Sequence, residues 1–396
     1  MNLRGWCFSP DGKPLQAVRL RADHLTFNGV VGLSRPDVKA AMPLAPDGFS
    51  GFEIRGVIPS GRITVTLEAA FADGVWQPLV SATADVKRQI IPLWLGGGAW
   101  TELMSSQMPV HMLYPAQAVR ADKFPAPAAS THRPKFSIVT PSYQQVRFLD
   151  ETLRSVVEQP GVDCQYVVQD GGSTDGSAAL IGARAGRLHA WESIRDGGQA
   201  DAISRGFAKT SGGPDDLMAW INSDDFYQPG ALAFVADYFL RHPEVDVIYG
   251  HRILVDESSR EIARWFLPPH DDAVLRLNDF VPQETMFWRR RIWAQVGGMD
   301  LSFQFAMDWD LLLRFQAAGA RIVRVPYFLA CFRVHPAQKT SAALHDVGEM
   351  ELTRLRERTH GRSFSPAELV HDPRLLRYLR RSAWIQFLWR WGIRAG

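Results

Sequence analysis

The sequence predicts an α/β protein: a mainly parallel sheet with helices on both faces, preceded by an all-β module and followed by a helical tail. Three observations predict it. From Lys135 onward, short apolar runs alternate with stretches of helical spacing. Two of those runs end in carboxylates, at Asp170 and at Asp224-Asp225, and open parallel sheets bind ligands beyond the carboxyl ends of their strands. Before about residue 100 the texture is different, with alternating strands punctuated by Asp-Gly turns.

The first module spans residues 1–100. Ile63-Thr64-Val65-Thr66-Leu67-Glu68-Ala69 alternates apolar and polar, the period of a half-buried strand. Asp11-Gly12, Asp47-Gly48 and Asp73-Gly74 are turn dipeptides, and the last fits a hairpin ahead of Val75-Trp76. Several short strands with such spacing predict a small β-sandwich. Trp6 and Trp76 either fill its core or stack on a sugar. A linker over 101–134 follows, with Pro115, Pro125, Pro127 and Pro134 among small and polar residues.

In the third segment, 135–340, strands are predicted at Phe136 to Thr140, Tyr166 to Gln169, Leu217 to Asn222 and Val245 to Tyr249. Helices are predicted at Val146 to Glu158, Ser177 to Arg184, Ala200 to Lys209 and Ala231 to Arg241. Trp220-Ile221-Asn222-Ser223-Asp224-Asp225 is the most informative run. Consecutive strand residues point to opposite faces, so its two acids can do different work. One can bond a ligand hydroxyl while the other holds a hard cation, which takes oxygen ligands and bridges to phosphates. A strand end followed by an ordinary turn is the alternative.

Composition bounds the function. The chain has 396 residues, 46% hydrophobic and 22% charged, as in an ordinary globular protein. Its net charge of +2 makes no case for nucleic acid. Cys7, Cys164 and Cys331 are scattered and odd in number, which suits a reducing compartment. The Met1-Asn2-Leu3-Arg4-Gly5-Trp6 start has no signal-peptide core, and no run reaches the ~18 apolar residues of a spanning helix. A cytoplasmic protein is the expectation.

Five motifs occur in order: Thr140-Pro141-Ser142-Tyr143, Gln169-Asp170-Gly171-Gly172-Ser173-Thr174-Asp175-Gly176, Asn222-Ser223-Asp224-Asp225, Met307-Asp308-Trp309-Asp310 and Phe332-Arg333-Val334-His335. Together they resemble the family-2 glycosyltransferases with the GT-A fold, over about half the chain. The resemblance implies inverting, metal-dependent transfer of a sugar from a nucleotide-diphosphate donor, UDP- or dTDP-linked, to a hydroxyl. It implies a glycan or glycolipid acceptor in bacterial surface polysaccharide or glycolipid synthesis.

The same resemblance implies residue roles. Pro141 and Tyr143 would lie near a planar base, with helix packing the alternative for the tyrosine. Asp170, followed by two glycines that let the backbone approach a ligand, would accept a uracil imino proton or else serve a turn. Asp196 in Asp196-Gly197-Gly198-Gln199-Ala200-Asp201 would help hold the nucleoside, whereas Asp175 and Asp201 serve helix starts. Ile203-Ser204 stands where the family often carries Arg-Asn, so no contact is carried over there. Asp224 resembles the ribose- or phosphate-facing acid and Asp225 the metal ligand, with His335 as a second ligand. Mn2+ or Mg2+ is the implied ion, imidazole favouring the former.

Arg333 and Lys339 would neutralise the leaving diphosphate or else be solvated surface charge. Asp308 is the implied base, taking the acceptor hydroxyl's proton as its oxygen attacks the anomeric carbon. Asp310, two residues on, cannot share its direction and supports the helix. Met307 replaces the glutamate the family often places before the base. Gln283 and Glu284 are candidates for the donor sugar or acceptor.

The tail, 341–396, is helical from Glu349 to Arg358 and again from Leu375 to Trp391. The last stretch is basic, amphipathic and rich in tryptophan. It either packs on the catalytic domain or lies peripherally on the inner face of an anionic membrane. It lacks the Gln-x-x-Arg-Trp signature of the family's processive synthases, so one sugar per encounter is expected. A nicotinamide enzyme should show Gly-x-Gly-x-x-Gly after the first strand, where Thr140-Pro141-Ser142-Tyr143 stands. A non-catalytic sugar- or nucleotide-binding scaffold is the remaining alternative; it should have lost an acid, yet Asp170, Asp225 and Asp308 are all present.

Overall fold

A computed structural model of the chain describes residues 2–6, 15–22, 25–33, 51–55, 61–71, 74–86, 116–125, 133–335 and 347–390. Asp11-Gly12, Asp47-Gly48, Lys339, Trp391 and the side chain of Trp6 lie outside the described residues. The chain divides into two compact units, Met1–Leu95 and Gly96–Gly396.

The first unit contains strands β1 (Asn2–Trp6), β2 (Leu15–Ala22), β3 (Leu25–Leu33), β4 (Gly51–Arg55), β5 (Gly61–Phe71) and β6 (Trp76–Val86). All pair antiparallel in the order β1-β4-β3-β2-β5-β6. Strand β3 pairs with β2 through Leu25–Asn28 and with β4 through Gly29–Leu33. It therefore passes from one ladder to the other, the way sandwich corners are made. Alternate residues Val18, Leu20, Phe52, Ile54, Leu67, Ala69 and Phe71 form one core. The predicted β5–β6 hairpin is present, with Gly74 at φ +71° donating its N–H to the Phe71 carbonyl at 2.8 Å. Trp76 carries the Arg19 guanidinium 4.0 Å above its ring.

The second unit opens with β7 (Phe136–Ser142), α1 (Val146–Val157), β8 (Cys164–Asp170), α2 (Ser177–Ala183), β9 (Ala190–Ser193), α3 (Gln199–Ala208) and β10 (Leu217–Trp220). These strands run parallel in the order β10-β7-β8-β9. Strand β7 is buried throughout, as expected of a strand covered on both faces. Helix α1 buries Phe148, Leu149, Thr152, Leu153 and Val156, an i, i+4 stripe. Helix α3 lies so close to β7 that a Cβ on Gly206 would stand 2.5 Å from Val139 Cγ1.

The rest of the sheet is less regular. It adds β11 (Phe226–Tyr227), α4 (Ala231–Arg241), β12 (Val247–Val255), β13 (Glu261–Trp265), α5 (Asp272–Leu275), β14 (Phe287–Arg289), α6 (Arg290–Val296), α7 (Met307–Ala317) and β15 (Ile322–Arg333). Strand β14 inserts antiparallel between β10 and β12, β15 runs parallel to β12, and β11 pairs antiparallel to β15. The nine-stranded sheet is thus mixed, with its parallel half carrying the sequence motifs.

Part of the predicted linker belongs to this unit. Gln117 bridges to Glu261 of β13, Asp122 accepts from Phe328 N at 3.0 Å, and Phe124 stacks on Phe234 at 5.2 Å.

The tail forms α8 (Glu349–His360), α9 (Pro366–His371) and α10 (Pro373–Arg390). Ser365 and Glu368 close a capping box at the start of α9. Helix α10 packs on the domain through Leu375, Tyr378 and Ser382, whose Oγ donates to the Phe266 carbonyl at 2.6 Å. Of the two expectations for the tail, packing holds for this face. No described helix is long and apolar enough to cross a membrane.

Candidate active site

The carboxyl ends of β7, β8 and β10 line up through their parallel registers, and the predicted acids lie there. Asp170 ends β8 beside Ser142 of β7. It is 0% exposed, and its oxygens are engaged from inside. Oδ2 accepts from Ser173 N at 2.8 Å and Ser193 Oγ at 2.6 Å, while Oδ1 accepts from Ser173 Oγ at 2.6 Å. Its work in this structure is to hold the Gly171-Gly172-Ser173 turn against β9.

What faces outward at that turn is different. Tyr143 is 63% exposed, Pro141 lies buried within β7, and the half-buried Asp196 comes across from the loop before α3. A Cβ on Gly171 would lie 3.1 Å from Asp196 Oδ2 and 3.2 Å from Tyr143 Cδ2, so the three come into close contact at this glycine. Asp196 Oδ1 accepts from Gly198 N at 2.9 Å. Asp175 caps as expected: Oδ1 takes Ser177 N at 2.9 Å and Oδ2 takes Val146 N at 2.9 Å, tying α2 to the start of α1.

Strand β10 ends at Trp220, short of the predicted strand, and the chain turns through Asn222-Ser223-Asp224-Asp225; the two acids separate, but through this turn rather than by strand alternation. Asp225 is 1% exposed. Its Oδ1 accepts from Arg333 N at 2.9 Å, and its carbonyl accepts from Thr152 Oγ1 of α1 at 2.7 Å. Burial, and then the charges of Asp224 and Glu284, push its carboxyl well above the usual range. Asp224 faces the more open side, with Oδ2 2.9 Å from His335 Nε2. The imidazole rests 4.8 Å from the Phe148 ring. His335 was expected beside Asp225; the structure joins it to Asp224.

Two further expectations are revised by burial. Arg333 is not turned toward a leaving group. Its Nε donates to the Asp224 carbonyl at 2.9 Å, NH1 to the Asp256 carbonyl at 3.1 Å and Ser259 Oγ at 3.0 Å, and NH2 to Glu151. It holds the acidic turn from behind. Glu284 is likewise buried, in a two-pronged pair with Arg252 at 2.7 and 2.7 Å. Breaking one side of such a pair leaves an uncompensated charge costing about 3–5 kcal/mol. Gln283 lies nearer the opening. Its Nε2 donates to the Trp220 carbonyl at 2.9 Å, and its Oε1 accepts from Asn222 Nδ2 at 3.2 Å. Asn222 Oδ1 in turn accepts from Gln199 Nε2 at 2.7 Å, completing a polar chain from α3 to β10.

Asp308 stands on the first turn of α7, half-buried, with Trp309 N donating to its Oδ1 at 2.9 Å. Asp310 points elsewhere, fully buried between Arg314 at 2.8 Å and Arg358 of α8 at 2.6 Å, the supporting role expected of it. A residue the motif reading missed lies within electrostatic reach of Asp308. Burial, and next the Asp308 charge, push the Asp279 carboxyl well above the usual range. Asp279 follows Asn278 in a loop with no repeat or motif to mark it. The buried Arg252–Glu284 pair lies within electrostatic reach of both Asp225 and Asp279.

The donor set suits a cation shared with substrate. Asp224 and His335 supply one oxygen and one nitrogen, and divalent ions at phosphate sites commonly take one or two protein ligands plus phosphate oxygens. Among the described residues no three His, Cys, Asp or Glu side chains form a cage.

Residues 137–297 match the profile of Glycosyl transferase family 2. This segment, with its α/β sheet and its acids at the strand ends, is similar to the glycosyltransferase domains of that family. The chain is 32% identical over 213 residues to the O-antigen biosynthesis protein RfbC of Myxococcus xanthus, a match covering 52% of this chain and 16% of that one. It is 27% identical over 195 residues to a PGL/p-HBAD biosynthesis glycosyltransferase of Mycobacterium tuberculosis, covering 48% and 73% respectively. Among solved structures, Staphylococcus aureus TarS bound to UDP-GlcNAc aligns over 62% of this chain and 72% of its own, with 18% identity and TM-score 0.48. The mannosyltransferase PcManGT of Pyrobaculum calidifontis, bound to GDP-Man and Mn2+, aligns over 75% and 86%, with 17% identity and TM-score 0.46.

Proposed function

We propose that the chain transfers a sugar from a nucleotide-diphosphate donor, UDP- or dTDP-linked, to a hydroxyl of a surface glycan or glycolipid, with inversion. The observation that carries this reading is the juxtaposition of Asp224 and His335 at the carboxyl ends of the parallel strands, 2.9 Å apart. There they would hold Mn2+ or Mg2+, which supplies charge to stabilise the diphosphate leaving group. The family match over 137–297 supports the class of reaction. The biosynthetic roles named for the Myxococcus and mycobacterial relatives support the acceptor class.

The protein's own residues divide the work. Tyr143 and Asp196 flank the nucleoside side of the opening, and Asp170 sets the turn between them. Asp196 is the carboxylate placed to accept an imino proton from uracil or thymine. Gln283 and Asn222 orient polar groups of the donor beside Asp224. Asp308 removes the acceptor's proton, a contribution of about 10²–10⁴ in rate for a well-placed base. The site works at the cytoplasmic face of the membrane, where the outer side of α10 meets anionic lipid. Arg377, Arg380 and Arg381 are exposed there beside Trp384, around an open groove of about 800 Å³.

Titration calorimetry with UDP, dTDP and GDP, each with Mn2+ and with chelator, tests the donor site. Binding of one nucleotide only when metal is present is the expected result. A scaffold that had lost catalysis would also bind, so Asp308→Asn decides between the two. Transfer should collapse while nucleotide affinity holds, and a fully active Asp308→Asn chain would remove Asp308 as the base.

A further inference from the structure

We propose that Glu351 of α8 is the N-terminal cap of α7, supplied from the tail, and that it positions Asp308 and tunes its proton affinity. The inference rests on the reading of Asp308 as base. Helix α7 begins at Met307, and its N-cap residue, Ala306, has no side chain able to accept a hydrogen bond. The leading N–H groups of a helix need partners, and Glu351 takes that of the N-cap residue together with two just ahead of it. Glu351, 45 residues beyond Ala306 and itself buried, meets the backbone just ahead of the helix. Its Oε1 accepts from Gln304 N at 2.7 Å, and its Oε2 accepts from Phe305 N at 2.9 Å and Ala306 N at 2.8 Å.

Three backbone donors on one buried carboxylate fix the entry angle of the turn that carries Asp308. The same carboxylate places a negative charge at the positive end of the α7 dipole. Removing that charge lowers the proton affinity of an acid on the first turn and weakens it as a base. Among the described residues, the other charged groups around this turn include Asp279, Asp300, Asp310 with Arg314 and Arg358, Arg354 over Phe303, and Arg356 over Trp309.

The test needs no substrate. In the full chain labelled with 13C at aspartate carboxyls, the Asp308 resonance is identified by its loss in Asp308→Asn. Glu351→Gln should move its titration midpoint down by about half a pH unit, and Glu351→Asp should restore it toward the wild-type value. An unmoved midpoint in a folded Glu351→Gln chain overturns the proposal. Should Glu351→Gln not fold, amide exchange in the wild-type chain decides. Slow exchange at Gln304, Phe305 and Ala306 supports the cap, and exchange at free-loop rates overturns it. Full transfer activity in Asp308→Asn would instead overturn the base assignment, leaving the cap itself to stand or fall on the exchange data.

Discussion

His335 Nε2 lies 2.9 Å from Asp224 Oδ2, while two residues earlier the Arg333 N–H holds the Asp225 carboxylate at the same distance. One strand end therefore grips both acids of the Asp224-Asp225 pair, in opposite ways. The neutral donor locks Asp225 into the interior. The imidazole keeps Asp224 on the side from which a ligand arrives. Asp224→Asn and His335→Ala should each weaken metal-dependent nucleotide binding by at least about tenfold. Asp225→Asn keeps an acceptor for Arg333 N and relieves repulsion from Asp224, so it should fold at least as well and retain binding. Calorimetry on the three variants checks this, and loss confined to Asp225→Asn would hand the metal to Asp225.

Asp279 predicts a pH signature. Burial and the neighbouring Asp308 raise its proton affinity in the folded state. A carboxyl raised on folding binds more protons folded than unfolded, so its contribution is favourable at low pH. That contribution is lost as pH climbs from the ordinary carboxyl range through the raised folded value. Asp279→Asn mimics the protonated form and should remove this loss. Its melting temperature should match the wild type near pH 4 and exceed it increasingly toward pH 8. Parallel melting curves across that range for the two chains would show that Asp279 is not perturbed.

The outer face of α10 makes a separate prediction. Its inner face is committed to the domain through Leu375, Tyr378 and Ser382, whereas Arg377, Arg380 and Arg381 are exposed and Trp384 is 60% exposed. Basic side chains at an anionic lipid surface contribute roughly 1 kcal/mol each. The chain should co-sediment with vesicles rich in phosphatidylglycerol and not with phosphatidylcholine alone. Added salt should weaken the association. Reversing the three arginines to glutamate should abolish it without changing nucleotide affinity. Equal recovery with neutral vesicles would assign this face no role in membrane contact.

How far the sequence carried the fold follows from the range of the interactions. Strands β7, β8 and β10 and helices α1, α3 and α4 were legible because their periodicity is local, as was the β5–β6 hairpin from its Asp-Gly turn. Strand β14 between β10 and β12 was not, since nothing in Phe287-Trp288-Arg289 announces which neighbours it will take. The same divide runs through the site. Asp224, Asp308 and His335 stood out in motifs, but the partners that define them did not. Arg252 for Glu284, Glu351 for the start of α7 and Asp279 for Asp308 are choices made across 29 to 47 residues of chain. Arg333 read as a cation facing the leaving diphosphate or the solvent, and only its packing against Glu151 of α1 shows it enclosed.

Gly206 offers a test of how tightly the parallel half of the sheet is built. In an exposed helix interior, replacing glycine by alanine stabilises by up to about 1 kcal/mol through backbone entropy. Here the added Cβ would stand 2.5 Å from Val139 Cγ1 and 3.0 Å from Cγ2, inside van der Waals contact with a strand that has no room to retreat. Strand β7 is buried along its whole length and pairs on both sides, with β8 and β10. Overpacking at such a site costs about 1–3 kcal/mol, which outweighs the propensity gain and reverses its sign. Gly206→Ala should therefore lower the denaturation midpoint. Val139→Ala alone should lower it too, by opening a cavity. The double variant, in which the alanine at 206 occupies space vacated at 139, should be more stable than the sum of the two losses. Strict additivity in that cycle would mean that α3 shifts away from β7 at little cost and that the close approach at Gly206 does not hold the helix in place.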